Sequence, residues 1–340
     1  MSEQTEITAA QNWENLLRQL IADYPNRSST EWKRDFSSLE DFLNSVRSQR
    51  SKWAELMKLP AGLPATAKQI EISKADQCQR KITFTFCHEM KFSAWYQPPV
   101  QKESQPRFPL VICLHGIGGS PQSTMGTDQR LDASYHRFAS RLTENGFAVV
   151  APQLINNFAE RARINRMALL LGSTIWALEL QAIRTLLDIC LEALPIDPEQ
   201  IAAWGISMGG GYTLYLMPLE MRIRAGVISA WFNHRVSKMV IESTDYSCFL
   251  PTEEEHAFIP GLLTQFSDSD LISLICPRPV QVQSGRLDDI ASHRLVEQEF
   301  RAASFCYQKL GIKKRLEWNL HNGGHELDFE AGLRFLRSWL

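Results

Sequence analysis

The chain predicts an α/β protein built on a mostly parallel, doubly wound sheet. Three observations predict it. From residue 110 onward, short apolar runs alternate with helical stretches, the order that gives a parallel sheet with helices on both faces. The runs at 110–114, 148–151, 201–204 and 225–229 are near-continuous in apolar character, as strands buried on both sides are, and 280–283 and 315–320 complete the set of candidate strands. Finally, 340 residues at 44% hydrophobic and 22% charged suit one enlarged globular domain, or a domain with an appendage.

The elements follow in order. Trp13, Leu16, Leu17, Leu20 and Ile21 recur at helical spacing, and that stripe must bury itself against something. Pro25 and Ser28-Ser29-Thr30 break this helix and offer a cap for the next. Leu39, Phe42, Leu43 and Val46 mark a second amphipathic face, followed by Trp53, Leu56 and Met57. The stretch 59–64 reads as a linker. The organisation expected is therefore an N-terminal helical extension over 1–62 and a sheet domain over 63–340. The period then changes to two at 81–86, and 92–96 is placed to pair with it as an antiparallel hairpin. Helices are expected over 178–194, 294–310 and 329–340. The interval 231–263, after the strand at 225–229, is expected to form a short cap. Trp231, Phe232 and Phe249 in it either line a pocket or fill core.

Composition excludes several classes. A formal net charge of -2 gives no electrostatic case for nucleic acid or an anionic membrane. The start is polar and acidic, without the profile of a secretory signal, and 167–176 is too short to span a bilayer. Seven cysteines without CxxC spacing, several inside apolar runs, fit buried free thiols in a reducing compartment, so a cytoplasmic location is expected.

The chemistry centres on Gly205-Ile206-Ser207-Met208-Gly209, a G-x-S-x-G directly after a strand and directly before a helix. So sharp a turn leaves no room for side chains at Gly205 and Gly209, and it presents the Ser207 hydroxyl at the carboxyl edge of the sheet. The Met208 amide at the helix start can stabilise an oxyanion. A second signal is the buried strand ending in His115-Gly116-Ile117. The loop after that strand supplies the other oxyanion donor in such sites, assigned here to the Ile117 amide. His115 itself is expected to hold the loop.

A serine nucleophile needs a base and an acid, which follow it as acid and then histidine. The strand at 279–283 leads into a turn carrying Asp288 and Asp289; Asp288 is preferred because of its offset from Gly285. His325, in the glycine-rich turn after the last strand, is the expected base, with His321 as competitor. The His321/His325 spacing is metal-like, but Gly323-Gly324 makes a helix there a poor fit, and no metal or cofactor is expected. No phosphate-binding glycine loop is present.

These residues resemble a known group. The elbow at 204–210, Pro277-Arg278-Pro279-Val280 before Ser284-Gly285-Arg286-Leu287-Asp288, and Gly323-Gly324-His325-Glu326 together resemble the dienelactone-hydrolase-like and acetyl-xylan-esterase-like bacterial α/β-hydrolases. Phe158-Ala159-Glu160-Arg161-Ala162 and Ile259-Pro260-Gly261-Leu262-Leu263 are further echoes. The resemblance covers roughly 60–340. It implies an α/β-hydrolase fold, a Ser207–Asp288–His325 triad and hydrolysis of a carboxylic ester of a small soluble substrate. Carbon–carbon bond hydrolases with a similar helical arm, and peptidases, use the same triad, so those alternatives stay open, as does a non-catalytic binding protein on the same fold. The N-terminal helices are expected to serve packing or homo-oligomerisation rather than chemistry.

Overall fold

The computed structural model describes residues 8–64, 66–76, 78–100 and 106–340. Among them, nine strands form one sheet: β1 (Ala67–Lys74), β2 (Arg80–Phe86), β3 (Lys91–Gln97), β4 (Phe108–Leu114), β5 (Ala148–Pro152), β6 (Ile196–Ile206), β7 (Ala225–Ser229), β8 (Val280–Gly285) and β9 (Leu316–His321). Their spatial order is β1-β2-β3-β5-β4-β6-β7-β8-β9. The first three strands are an antiparallel meander, and β3 lies antiparallel to β5. From β5 across to β9 every pairing is parallel.

The apolar runs divide between two cores, one on each face. In β4, Leu110, Ile112 and Leu114 enter the larger core, while Val111 and Cys113 enter the other. In β6, Ala203 faces the first, and Ala202, Trp204 and Ile206 the second. Continuous hydrophobicity in the sequence is thus a period-two pattern read on two buried faces. The larger core is covered by the helices Ile175–Ala193, Met208–Leu216 and Asp268–Ile275, the second by Phe138–Glu144 and Phe329–Trp339.

The N-terminal segment behaves in two ways. Phe42, Val46, Trp53 and Met57 are wholly buried in the larger core, and Trp53 Nε1 donates to the Tyr215 carbonyl at 3.1 Å. The helix Ala9–Ala22, by contrast, buries no residue. Among the described residues Trp13, Leu16, Leu17 and Leu20 stay exposed, while Ile21, at the end of the stripe, is half-buried against the cluster of Met239, Val240 and Phe249. Trp13, Leu17 and Leu20 instead line an apolar groove of about 1020 Å³ whose other wall includes Met239, Val240 and Phe258.

Other differences from expectation have local causes. β1 is an edge strand with no buried residue, so it carries no alternating signal. β9 starts at Leu316 because 313–315 form a 3₁₀ turn. β6 begins at Ile196, ahead of its apolar run, through a polar stretch containing Pro198. Among the described residues no helix is long and apolar enough to cross a membrane. All seven cysteines are free, and five of them are buried.

Candidate active site

Ser207 stands at the carboxyl end of β6, where the chain turns into the helix Met208–Leu216. Its backbone sits at φ 55°, ψ −128°, a strained conformation for a residue with a side chain. The turn is closed so tightly that a Cβ on Gly205 would lie 2.0 Å from the Gly209 carbonyl oxygen, and one on Gly209 would lie 2.0 Å from that of Leu114. Both glycines are therefore obligatory. Ser207 N donates to the Ser229 carbonyl at 2.9 Å, tying the elbow to β7.

The loop after β4 runs against this elbow. A Cβ on Gly116 would come 2.9 Å from Ser207 Cβ. Gly116 N donates to the Tyr135 hydroxyl at 2.7 Å, and Gly118 N to the Asn156 carbonyl at 2.8 Å. Among the described residues the Ile117 amide has no acceptor. The Met208 amide, at the first position of its helix, is one of the donors a helix leaves unused. Two amides, one beside Gly116 and one following Ser207, are thus without an acceptor among the described residues.

His115 is wholly buried beneath this loop. Its Nδ1 donates to the Gly116 carbonyl at 2.9 Å and its Nε2 accepts from Leu154 N at 3.1 Å. Burial pulls its pKa down to about 4, so it is a neutral brace near pH 7. Deeper still, Glu179 accepts from Ile155 N at 2.7 Å and pairs with buried Arg161 at 2.9 Å.

Asp288 and His325 meet across the ends of β8 and β9. His325 Nδ1 donates to Asp288 Oδ2 at 2.9 Å. The Asp288 side chain is fully buried, and its Oδ1 accepts from the amides of Ile290 at 2.9 Å and Ala291 at 3.1 Å. A carboxylate so held is fixed in orientation and satisfied on both oxygens. A Cβ on Gly285 would lie 2.1 Å from the Gly324 carbonyl oxygen, which shows how closely the histidine turn rests on the acid strand. Asp289 is exposed. His321 Nδ1 accepts from Gly323 N at 3.2 Å, and its Nε2 is buried without a partner. Among the described residues neither the Ser207 hydroxyl nor His325 Nε2 has a hydrogen-bond partner. No group of three His, Cys, Asp or Glu among the described residues is arranged to hold a metal ion.

Several further residues support the site. Glu326 accepts from Gly324 N at 3.0 Å and pairs with His136 Nε2 at 2.7 Å, bracing the histidine turn. Gln283 on β8 receives Ser229 Oγ at 2.8 Å and Asp328 N at 3.0 Å on one oxygen. Ser229 Oγ in turn accepts from Trp204 Nε1 at 3.0 Å, so a buried polar chain links β6, β7, β8 and the segment after His325. Glu254, half-buried in the segment after β7, interacts electrostatically with His325, and burial raises its pKa. Trp231 packs its ring with Trp176 at 5.7 Å and Phe249 at 6.2 Å between centroids, and a Cβ on Gly211 would lie 2.7 Å from that ring.

The chain is similar to YtaP of Bacillus subtilis (strain 168), assigned as a hydrolase, at 24% identity over 87% of this chain and 100% of that protein. It is similar to YuxL of the same organism, named an uncharacterized peptidase, at 25% identity over 93% of this chain but 48% of that protein. No protein-family model matches the chain. Among solved structures, one assigned as an acetyl xylan esterase from Bacteroides fragilis superposes with a TM-score of 0.68 at 16% identity, over 95% of this chain and 84% of that one. A glucuronoyl esterase from Caldicellulosiruptor kristjansonii gives 0.62 at 16% identity, over 88% and 85%. An acetyl xylan esterase from Paenibacillus sp. R4 gives 0.56 at 18% identity, over 95% and 99%. The fold is that of the α/β-hydrolases. In such a fold the carboxyl edge of the parallel strands is where ligands bind, and Ser207, Asp288 and His325 all lie there.

Proposed function

We propose that the chain is a serine hydrolase that cleaves a carboxylic ester of a small soluble substrate through an acyl-enzyme. One observation carries the reading: a strained serine at the β6 elbow shares a sheet edge with a buried carboxylate that fixes a histidine at 2.9 Å. Strain of this kind costs energy and is concentrated at functional sites. The structural likeness to esterases and the likeness to YtaP point the same way.

In the mechanism His325 Nε2 takes the Ser207 proton as Oγ attacks the acyl carbonyl. The Ile117 and Met208 amides receive the oxyanion. The C–O bond to the alcohol breaks as His325 returns the proton to the leaving oxygen. Water, deprotonated by the same imidazole, then attacks the acyl-serine, and the acid departs as Ser207 regains its proton. Asp288 keeps Nδ1 protonated and balances the transient imidazolium.

The test is turnover of p-nitrophenyl esters from acetate to octanoate, alongside an acetylated sugar and a methyl glucuronate, with fluorophosphonate labelling. The expected result is labelling at Ser207 and ester hydrolysis, with Ser207→Ala losing about 10⁴-fold or more. An unlabelled protein, or a Ser207→Ala variant with unchanged turnover, overturns the reading. A peptide panel addresses the alternative suggested by YuxL's name.

A further inference from the structure

We infer that Lys238 is a positioning residue for this reaction, its buried ammonium fastening the segment that follows β7 onto the turn that carries Asp288. The inference rests on the serine-hydrolase reading. Lys238 lies on the short helix Arg235–Val240 and is 5% exposed. Its Nζ donates to the Ser247 carbonyl at 2.8 Å, to the Ser247 hydroxyl, and to the Ile290 carbonyl at 2.9 Å. An ammonium has three protons, and all three are used. Ser247 adds its own amide at 3.3 Å and hydroxyl at 3.1 Å to the same Ile290 carbonyl.

That carbonyl belongs to the residue whose amide holds the acid. Ile290 N donates to Asp288 Oδ1, and Asp288 Oδ2 accepts from His325 Nδ1. Only Ile290 and Asp288 therefore separate the ammonium from the imidazole. Lys238 also sits 4.5 Å from the centroid of the Phe249 ring, and Phe249 N donates to the Lys238 carbonyl at 2.9 Å. One side chain thus gathers both ends of the 238–249 turn and the acid turn.

Stability alone does not account for a charge here. Taking an ammonium out of water is costly, and hydrogen bonds to it offset that cost only where their geometry is good. Burial pulls the Lys238 pKa down to about 8, against the opposing pull of Glu254 and Asp288 and with Arg235 adding to the decrease. What a methionine cannot do is donate to two irregular loops at once. Ile290 is itself exposed, and its turn contributes no strand pairing, so these donors are what fix its backbone and, through it, the carboxylate.

The experiment uses the full chain as wild type, Lys238→Met and Ser247→Ala. Sites are titrated with a fluorophosphonate, and kcat and KM for p-nitrophenyl acetate are expressed per titrated site. Lys238→Met is expected to keep its Tm within a few degrees and its KM within about twofold, while kcat falls about tenfold or more. Ser247→Ala is expected to show a smaller fall in kcat. A purely structural role would lower Tm or the number of titrated sites and leave kcat per site unchanged, which overturns the inference, as does a loss confined to KM. If Lys238→Met does not fold, wild-type kcat per site in Ser247→Ala overturns it. A wild type that does not label sinks the serine-hydrolase reading itself, whereas a labelled wild type with an equally active Lys238→Met sinks only the role of Lys238.

Discussion

Gly116 and Ser207 stand so close that a Cβ on the glycine would lie 2.9 Å from the Cβ of the serine, with the Ile206 carbonyl oxygen at 3.1 Å. The loop that carries the Ile117 amide is therefore packed directly on the nucleophile's turn. Any side chain there must push the two apart, and the Ile117 amide moves with its neighbour.

Gly116→Ala is expected to lower kcat by about 10²-fold, the range set by loss of an oxyanion donor or a 1 Å displacement. KM for p-nitrophenyl acetate should change little, since the donor acts on the transition state. Steady-state kinetics on folded protein check this. Wild-type kcat would show that the loop relaxes without moving the donor.

Asp288→Asn is expected to cost about 10²- to 10⁴-fold in kcat, because an amide cannot balance an imidazolium and can fix the wrong tautomer. The amides of Ile290 and Ala291 still find an oxygen on asparagine, so folding should survive. Asp289→Asn, at an exposed position, should stay within about twofold of wild type. Side-by-side kcat values decide, and the reverse order moves the acid by one residue.

Much of this site was legible because its chemistry demands particular residues at short spacing. The elbow needs Gly205 and Gly209 on either side of Ser207, and the close approaches of both explain why no other residue serves. Asp288 follows a strand that ends in Gly285, and His325 follows one in a turn with Gly323 and Gly324, which marks their place at the sheet edge. Lys238, Glu254 and Gln283 were not legible. Each acts through partners distant in sequence, Lys238 through Ile290 and Gln283 through Asp328, and no local pattern records such pairings. The hairpin of β2 and β3 was readable from alternation, with Ile82 opposite Ala94. β1 was not, since an exposed edge strand buries nothing. The stripe of Trp13, Leu16, Leu17 and Leu20 on the first helix is apolar in sequence and exposed in the fold, because amphipathicity states only that a face lacks a partner, not that the same chain supplies one.

A buried acid gives a pH prediction. Glu299 is held in a cluster with Asp268, Asp270, Tyr24 and Arg235, and its carboxylate accepts from Ser269 N at 2.7 Å. Burial first, and Asp268 second, raise its pKa from 4.5 to about 7. The folded state then keeps a proton that the unfolded chain releases, so this group's contribution is full below about pH 4.5 and is lost as pH rises through 7. Glu299→Gln, which cannot ionise, is expected to gain Tm over wild type at pH 8 and to gain less at pH 5. Thermal melts at both values test it; an equal difference at the two pH values would remove Glu299 as the titrating group.

The N-terminal segment calls for a cut at a defined place. Residues 39–57 supply Phe42, Val46, Trp53 and Met57 to the main core, and truncating Trp53 to alanine alone should cost about 3–5 kcal/mol. A deletion reaching residue 50 therefore opens the core and tests only stability. The helix Ala9–Ala22 differs, because it buries nothing and is tethered chiefly at Arg18, which donates to the Val240 carbonyl and pairs with Glu242 at 3.3 Å. Trp13, Leu17 and Leu20 on it wall an apolar groove and remain exposed. Deleting residues 1–22 is thus expected to leave Tm within a few degrees and Ser207 reactive toward a fluorophosphonate, while changing the mass measured by light scattering if the stripe joins two copies. The groove's other wall reaches Met239 and Val240, next to Lys238, so turnover of long-chain esters should change more than that of acetate. A folded truncation that no longer labels would show that this helix helps build the site around Ser207, although its side-chain bonds to the later part of the chain run to Val240 and Glu242.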